Sequence, residues 1–326
     1  MLTVTASAPA KLVLSGEYAV LYGAPAIVLA VDREVRVRVS ERDDGCFSLL
    51  APGVADAPEA FTLVNERPHF ATPVATERFA LVSAVMATIG LPSAGADIEI
   101  DSRQLFIDGR KLGLGSSAAV CVALAQALGE WRSHAVTLSS VQAIHRAAQS
   151  GRGSGVDLAA AWYGGLLHAE RDDDALTVAP LPMPRTVLRM VDTGVAQSTP
   201  AMLAQLEHWA EHSSDADAVI GALCQSARTA AAAWQAGDGI AATECYSRAL
   251  QAFDDATGLG IVSPAHRRVA AIAADVGVAY KPSGAGGGDV GVALAAEPES
   301  LQALDNALIA AGLRSAPIHS CPPRAN

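Results

Sequence analysis

Residues 111–124 read KLGLGSSAAVCVAL. Two glycines, Gly113 and Gly115, and two hydroxyls, Ser116 and Ser117, stand directly before an apolar stretch with the composition of a buried helix. The first turn of a helix offers N–H groups that have no intrahelical acceptor, at the positive end of the helix dipole. Glycines ahead of that turn let the backbone close on a bound group, and the two hydroxyls can bond a phosphate oxygen or a metal ion. The segment therefore reads as a phosphate cradle. It lacks the GxxxxGK-Ser/Thr pattern of a P-loop and the GxGxxG of a dinucleotide fingerprint. Taken alone, it also fits an ordinary strand–turn–helix connection with serine caps.

Three further segments share this texture. Residues 9–31, PAKLVLSGEYAVLYGAPAIVLAV, carry the lone cation Lys11 in an apolar run, with Glu17 and Tyr18 beside Gly16 in a turn. Residues 281–294, KPSGAGGGDVGVAL, crowd Gly284, Gly286, Gly287 and Gly288 ahead of Asp289. A linker would be followed by polar residues. This stretch instead joins one apolar run to another, and reads as a tight loop that Asp289 caps or braces. Residues 145–165, HRAAQSGRGSGVDLAAAWYGG, place Asp157 after a glycine loop at the start of a helix, where an N-cap is the alternative reading.

The rest of the chain bounds the setting. Of 326 residues, 51% are hydrophobic and 17% charged, enough apolar material for substantial cores. The net charge of −11, without a basic run, argues against a nucleic-acid or anionic-membrane partner. The five cysteines are odd in number and scattered, with no CxxC, which speaks against a disulfide framework or a zinc site. No signal peptide or long apolar span is seen, so the expected location is cytoplasmic. The first half reads β-rich, with EVRVRVSE alternating Val35, Val37 and Val39 against charges. One helix is expected over 75–90, and another over 138–150 with Ser139 as cap. Five more helices follow Pro182, one of them capped by Ser263 with Pro264 in its first turn. The mixture implies an α+β chain of two domains, 1–175 and 176–326.

Taken in order, the segments PAKLVLSGEYAVL, GLGSSAA and KPSGAGGGDVGVAL resemble the motifs of the GHMP kinase superfamily across essentially the whole chain. The resemblance implies an N-terminal ribosomal-protein-S5-like domain, a C-terminal ferredoxin-like α/β sandwich, and an ATP-dependent phosphotransferase using Mg²⁺. It implies that Lys111, Gly113, Leu114, Gly115, Ser116, Ser117 and Ala118 hold ATP, with Ser117 and Glu17 placing the metal. Lys11 and Asp157 become the catalytic pair. The acceptor side is expected to include Lys11, Glu17, Tyr18, Arg152, Ser154, Gln197, Ser198, Thr199, Ser283, Gly284, Gly286 and Gly287. Gly286 and Gly287 are where a side chain should be least tolerated. A homodimer is compatible with the family.

Within the superfamily, Gly16-Glu17-Tyr18 replaces the Gly-Glu-His usual in galactokinases and mevalonate kinases. A Lys precedes GLGSS, and DTGVAQST (192–199) is similar to a substrate-side segment. All three features are similar to the phosphomevalonate kinase branch, which implies phosphoryl transfer to 5-phosphomevalonate. A mevalonate kinase, or a kinase for another small alcohol, is the alternative. A non-catalytic ligand-binding member is a third reading, opposed by the presence of both Lys11 and Asp157. The decarboxylase branch is less similar at GEY and KLGLGSSAA.

Overall fold

The structure, a computed structural model, describes residues 2–148, 153–172 and 175–324. The chain forms two compact units, each discontinuous in sequence. One comprises Met1–Ala10, Arg33–Arg110 and Gly115–Trp162. The other comprises Lys11–Asp32, Lys111–Leu114 and Tyr163–Asn326. Two long strands, β1 (Thr3–Ser15) and β2 (Ala26–Glu41), run through both. β1 runs on through Pro9 and β2 through Asp32, and the chain turns between them at Gly16 and the short 3-10 turn Ala19–Tyr22.

In the first unit, Val35, Val37 and Val39 of β2 are fully buried between more exposed charges, as period-two alternation requires. This half of β2 begins a sheet completed by β3 (Phe47–Ala51), β4 (Ala55–Val64), β5 (Arg67–Phe70) and β6 (Ala96–Asp101), in the order β2-β6-β3-β4-β5. Between β5 and β6 lie α1 (Pro73–Arg78) and α2 (Ala80–Ile89). The single helix expected here is broken at Phe79, whose ring is buried and lies 5.3 Å from that of Phe70, tilted by 35°. The series continues through Phe61 to Phe47 and forms the aromatic part of this core. Short strands β7 (Phe106–Ile107) and β8 (Arg110–Lys111) lead into α3 (Ser116–Trp131), α4 (Leu138–Ala148) and α5 (Val156–Tyr163). At the start of α4 it is Thr137, not Ser139, that accepts the N–H of Ser140, at 3.2 Å.

In the second unit, β9 (Leu166–Asp172) pairs antiparallel with the first half of β2 and with β10 (Ala175–Leu181). There follow β11 (Val187–Asp192), the helices α6 (Thr199–His212), α7 (Ala216–Gln235), α8 (Gly239–Thr257) and α9 (Pro264–Asp275), then β12 (Ala279–Pro282), β13 (Val290–Ala295), α10 (Pro298–Ala310) and β14 (Arg314–Pro317). The sheet order is β12-β13-β11-β14 with antiparallel neighbours. With helices between its first and second and its third and fourth strands, this is the β-α-β-β-α-β arrangement of a ferredoxin-like sandwich. Val191, Val269, Tyr280, Ala293, Leu301, Leu304 and Leu308 form its core. Ser263 caps α9 by accepting the N–H of His266, with Pro264 in the first turn. The chain is thus α+β. Among the described residues no helix is long and apolar enough to cross a membrane.

Candidate active site

In the second unit the fold gathers four distant stretches around Lys11. Its backbone N–H donates to the Leu114 carbonyl at 2.9 Å, and its Nζ donates to the Gly113 carbonyl at 3.4 Å. The side chain is nearly buried, at 9% exposure. A β carbon built on Gly284 would lie 3.6 Å from Lys11 Nζ, so the glycine-rich loop faces this ammonium group. Tyr18 (φ +63°) follows the sharp turn at Gly16 and donates its hydroxyl to the Ala285 carbonyl.

Asp289 braces the loop, as the sequence leads one to expect. Its Oδ1 accepts the Gln197 N–H at 3.1 Å, and its carbonyl accepts the Thr193 hydroxyl at 2.8 Å. Gly113, at φ +70°, packs on this carboxylate so closely that a β carbon would stand 2.6 Å from Asp289 Cγ. Residues 11–18, 111–114, 192–197 and 281–289 therefore meet in one place.

The glycine loop has an unequal tolerance for side chains. A β carbon on Gly286, at φ +71°, would come within 2.6 Å of the Ile261 carbonyl oxygen, a rigid backbone atom. On Gly287, at φ +74°, it would meet the end of the Gln197 side chain at 2.9 Å, which can shift, but the left-handed backbone itself strains any side chain there. Both glycines resist a side chain, Gly286 the more so because a backbone atom stands in the way. Gly286→Val is expected to lower kcat/KM by at least about tenfold through displacement of the loop, with a measurable drop in Tm. Steady-state kinetics and thermal unfolding check this, and unchanged kinetics would reduce the loop to a turn.

Other expected residues take different places. Ser283 accepts the Val13 N–H at 2.9 Å and donates to the Val13 carbonyl at 3.0 Å, so its buried hydroxyl stitches two strands instead of reaching a ligand. Ser198 occupies the N-cap position of α6 without a side-chain capping bond, and both it and Thr199 are exposed. Lys281 is wholly buried, as is all but 3% of the Glu17 side chain, and the two form an ion pair. Glu17 is thereby held in the interior, not presented to a metal ion or an acceptor as the motif implied. Lys111 is exposed.

In the first unit, α3 opens at Ser116 with Gly115 at the N-cap, and the first backbone bond of the helix runs from Ala119 N–H to the Gly115 carbonyl. The N–H groups of Ser116, Ser117 and Ala118 lie in the turn that has no intrahelical acceptors. Ser116 is buried. Ser117 is half-buried, its hydroxyl 3.1 Å from His145 Nε2. Asp157 sits half-buried in the first turn of α5, where its own Oδ1 accepts the Leu158 N–H at 3.0 Å. Ser154 Oγ accepts the Val156 N–H at 3.4 Å just before that helix. Arg152 lies outside the described residues.

His266 belongs to none of the motifs. Its ring is buried between the Tyr280 hydroxyl, 2.7 Å from Nδ1, and the Gly288 carbonyl, 3.0 Å from Nε2. A carbonyl only accepts, so Nε2 carries the proton and Nδ1 accepts from Tyr280. Burial pulls the imidazole pKa down to about 4, against the opposing pull of the Gly288 carbonyl, so the ring is neutral at physiological pH. It anchors the end of the glycine loop. Nothing in a lone His on a helix face signals this.

The chain is similar to known proteins. Residues 77–165 match the profile of the GHMP kinases N terminal domain. The chain is 32% identical to a phosphomevalonate kinase of Streptomyces sp. (strain CL190), over 90% of this chain and 90% of the relative. It is also 32% identical to a mevalonate kinase of Methanothermobacter thermautotrophicus, over 59% of this chain and 61% of the relative. The solved structure of Streptococcus pneumoniae phosphomevalonate kinase in complex with phosphomevalonate and AMPPNP shares the fold. Its TM-score is 0.76 at 21% identity, covering 98% of this chain and all of that one.

Proposed function

We propose, from the premise that the chain belongs to the GHMP kinase family and is an ATP-dependent phosphotransferase of the mevalonate pathway, that its acceptor is 5-phosphomevalonate. Support for this acceptor over mevalonate comes from similarity to a phosphomevalonate kinase across nine-tenths of both chains, whereas the mevalonate kinase match spans about three-fifths. The Gly16-Glu17-Tyr18 turn agrees.

The observation that carries the mechanism is the position of Lys11, a nearly buried cation bonded to the Gly113 carbonyl and facing the glycine loop. Residues 113–117 and the N–H groups at the start of α3, which have no intrahelical acceptor, suit the phosphates of ATP. Lys11 stabilises the charge on the transferring phosphoryl group, where little covalent chemistry is asked of the protein. Asp157 orients the acceptor or takes its proton. A phosphate acceptor, with a second pKa of about 6, is already ionised near neutrality and needs no base. On this reading Asp157 positions and does not deprotonate.

Mg²⁺ fits this site in a limited way. Among the described residues no group of three or more His, Cys, Asp or Glu side chains is arranged to hold a metal. Mg²⁺ is commonly held by few protein ligands together with substrate phosphates. Ser117, whose hydroxyl retains a lone pair beside its bond to His145, is the protein contact we assign, without Glu17. The ion would neutralise phosphate charge.

A coupled ADP-release assay with 5-phosphomevalonate, mevalonate, galactose and homoserine tests the acceptor. Turnover with 5-phosphomevalonate is expected, and turnover with mevalonate alone would overturn the choice.

A further inference from the structure

The Lys281 ammonium has three acceptors for its three protons: Glu17 Oε1, the Pro282 carbonyl at 2.5 Å and the Val13 carbonyl at 3.3 Å. Glu17 Oε1 also accepts the Gly284 N–H at 3.3 Å, and the Tyr246 hydroxyl donates to the Glu17 carbonyl at 2.6 Å. Glu17 Oε2 is buried with no hydrogen-bond partner. Burial pushes the Glu17 carboxyl up and the charge of Lys281 draws it back. Burial pulls Lys281 down, Glu17 restores it, and repulsion from Lys11 lowers it again. Lys281 is thus coupled to both Glu17 and Lys11, and Gly284 lies beside both groups: its N–H donates to Glu17 Oε1, and a β carbon on it would stand 3.6 Å from Lys11 Nζ.

The geometry points to a charge lock: Lys281 holds Glu17 in the interior, so that the carboxylate anchors the Gly284 end of the glycine loop and does not draw Lys11 away from the transferring phosphoryl group. Glu17 and Lys281 are positioning residues, and their effect reaches the reaction through Lys11. The physical basis is the asymmetry of buried pairs. Removing one partner leaves a charge that must find another counter-ion, whereas replacing both by neutral groups of similar size is tolerated. Without Lys281, the cation beside Gly284 that can answer Glu17 is Lys11.

The inference rests on Lys11 acting at the phosphoryl group. It is tested with whichever acceptor wild type turns over, so a wrong acceptor shows in the wild type and a wrong lock only in the variants. Lys281→Met is expected to lose kcat on the order of a hundredfold by misplacing Lys11, with the KM for ATP changed by less than about threefold. Adding Glu17→Gln should restore kcat to within about tenfold of wild type. A merely structural role of the pair predicts a Tm that falls in Lys281→Met and recovers in the double variant while kcat, measured well below Tm, stays near wild type in both; that result overturns the lock, as does a loss of kcat that Glu17→Gln does not restore. Should the single variant fail to fold, the double variant decides, because it carries no buried charge at these positions. A folded double variant within about tenfold of wild type supports the lock, and one impaired beyond a hundredfold refutes it.

Discussion

Lys11→Met is expected to lower kcat by about 10³-fold or more while the chain remains folded. Met keeps most of the length and apolar stem of Lys and removes only the charge. The side chain is already nearly buried, and the backbone bond from Lys11 to Leu114 does not depend on the side chain. What is lost is a cation held between the Gly113 carbonyl and the glycine loop, in surroundings that shield it little from a phosphoryl group. Steady-state kinetics beside a thermal unfolding curve separates the two effects. A kcat near wild type would remove Lys11 from the reaction and leave it as a strand lysine with a buried stem.

Asp157→Asn is the second large effect, and its pH profile says more than its size. Loss of the carboxylate is expected to reduce kcat by about 10²-fold or more, since an amide cannot orient the acceptor in the same way. With a phosphate acceptor, the acid limb of kcat/KM belongs to the second ionisation of the substrate, near pH 6. The variant should therefore have a lower profile with its acid limb in the same place. If Asp157 is a general base for an alcohol, the limb belongs to the enzyme and disappears in the variant. The asparagine keeps a carbonyl oxygen to accept the Leu158 N–H, so the start of α5 is preserved.

Much of the fold was legible because its signals are local. The valine alternation of β2, the Ser263–Pro264 start of α9 and the glycine-to-helix passage at 113–117 each depend on neighbours in sequence. Strands β4 and β10 escaped because they are largely exposed and carry little apolar alternation, with Pro58 inside β4. The expected halves, 1–175 and 176–326, differ from the compact units because β1 and β2 each pass through both units, which no composition shift reveals.

The same distinction divides the site. Glycines that precede a helix announce themselves, and so does a lone lysine in an apolar strand. The Glu17–Lys281 pair links residues 264 apart, and each charge taken singly looks like a surface or ligand group. Burial turned both into internal counter-ions. Ser283 likewise has the composition of a binding residue, but register places it against Val13. The loop's most crowded glycine is set by Ile261, a residue in the connection before α9 that no motif includes.

The choice of 5-phosphomevalonate as acceptor stands most directly on the bond that the enzyme makes. Incubated with ATP, Mg²⁺ and 5-phosphomevalonate, the protein should yield a product whose ³¹P NMR spectrum shows two mutually coupled diphosphate resonances, with ADP formed in equal amount. A protein that leaves 5-phosphomevalonate unchanged but converts mevalonate to a single phosphomonoester resonance would contradict it.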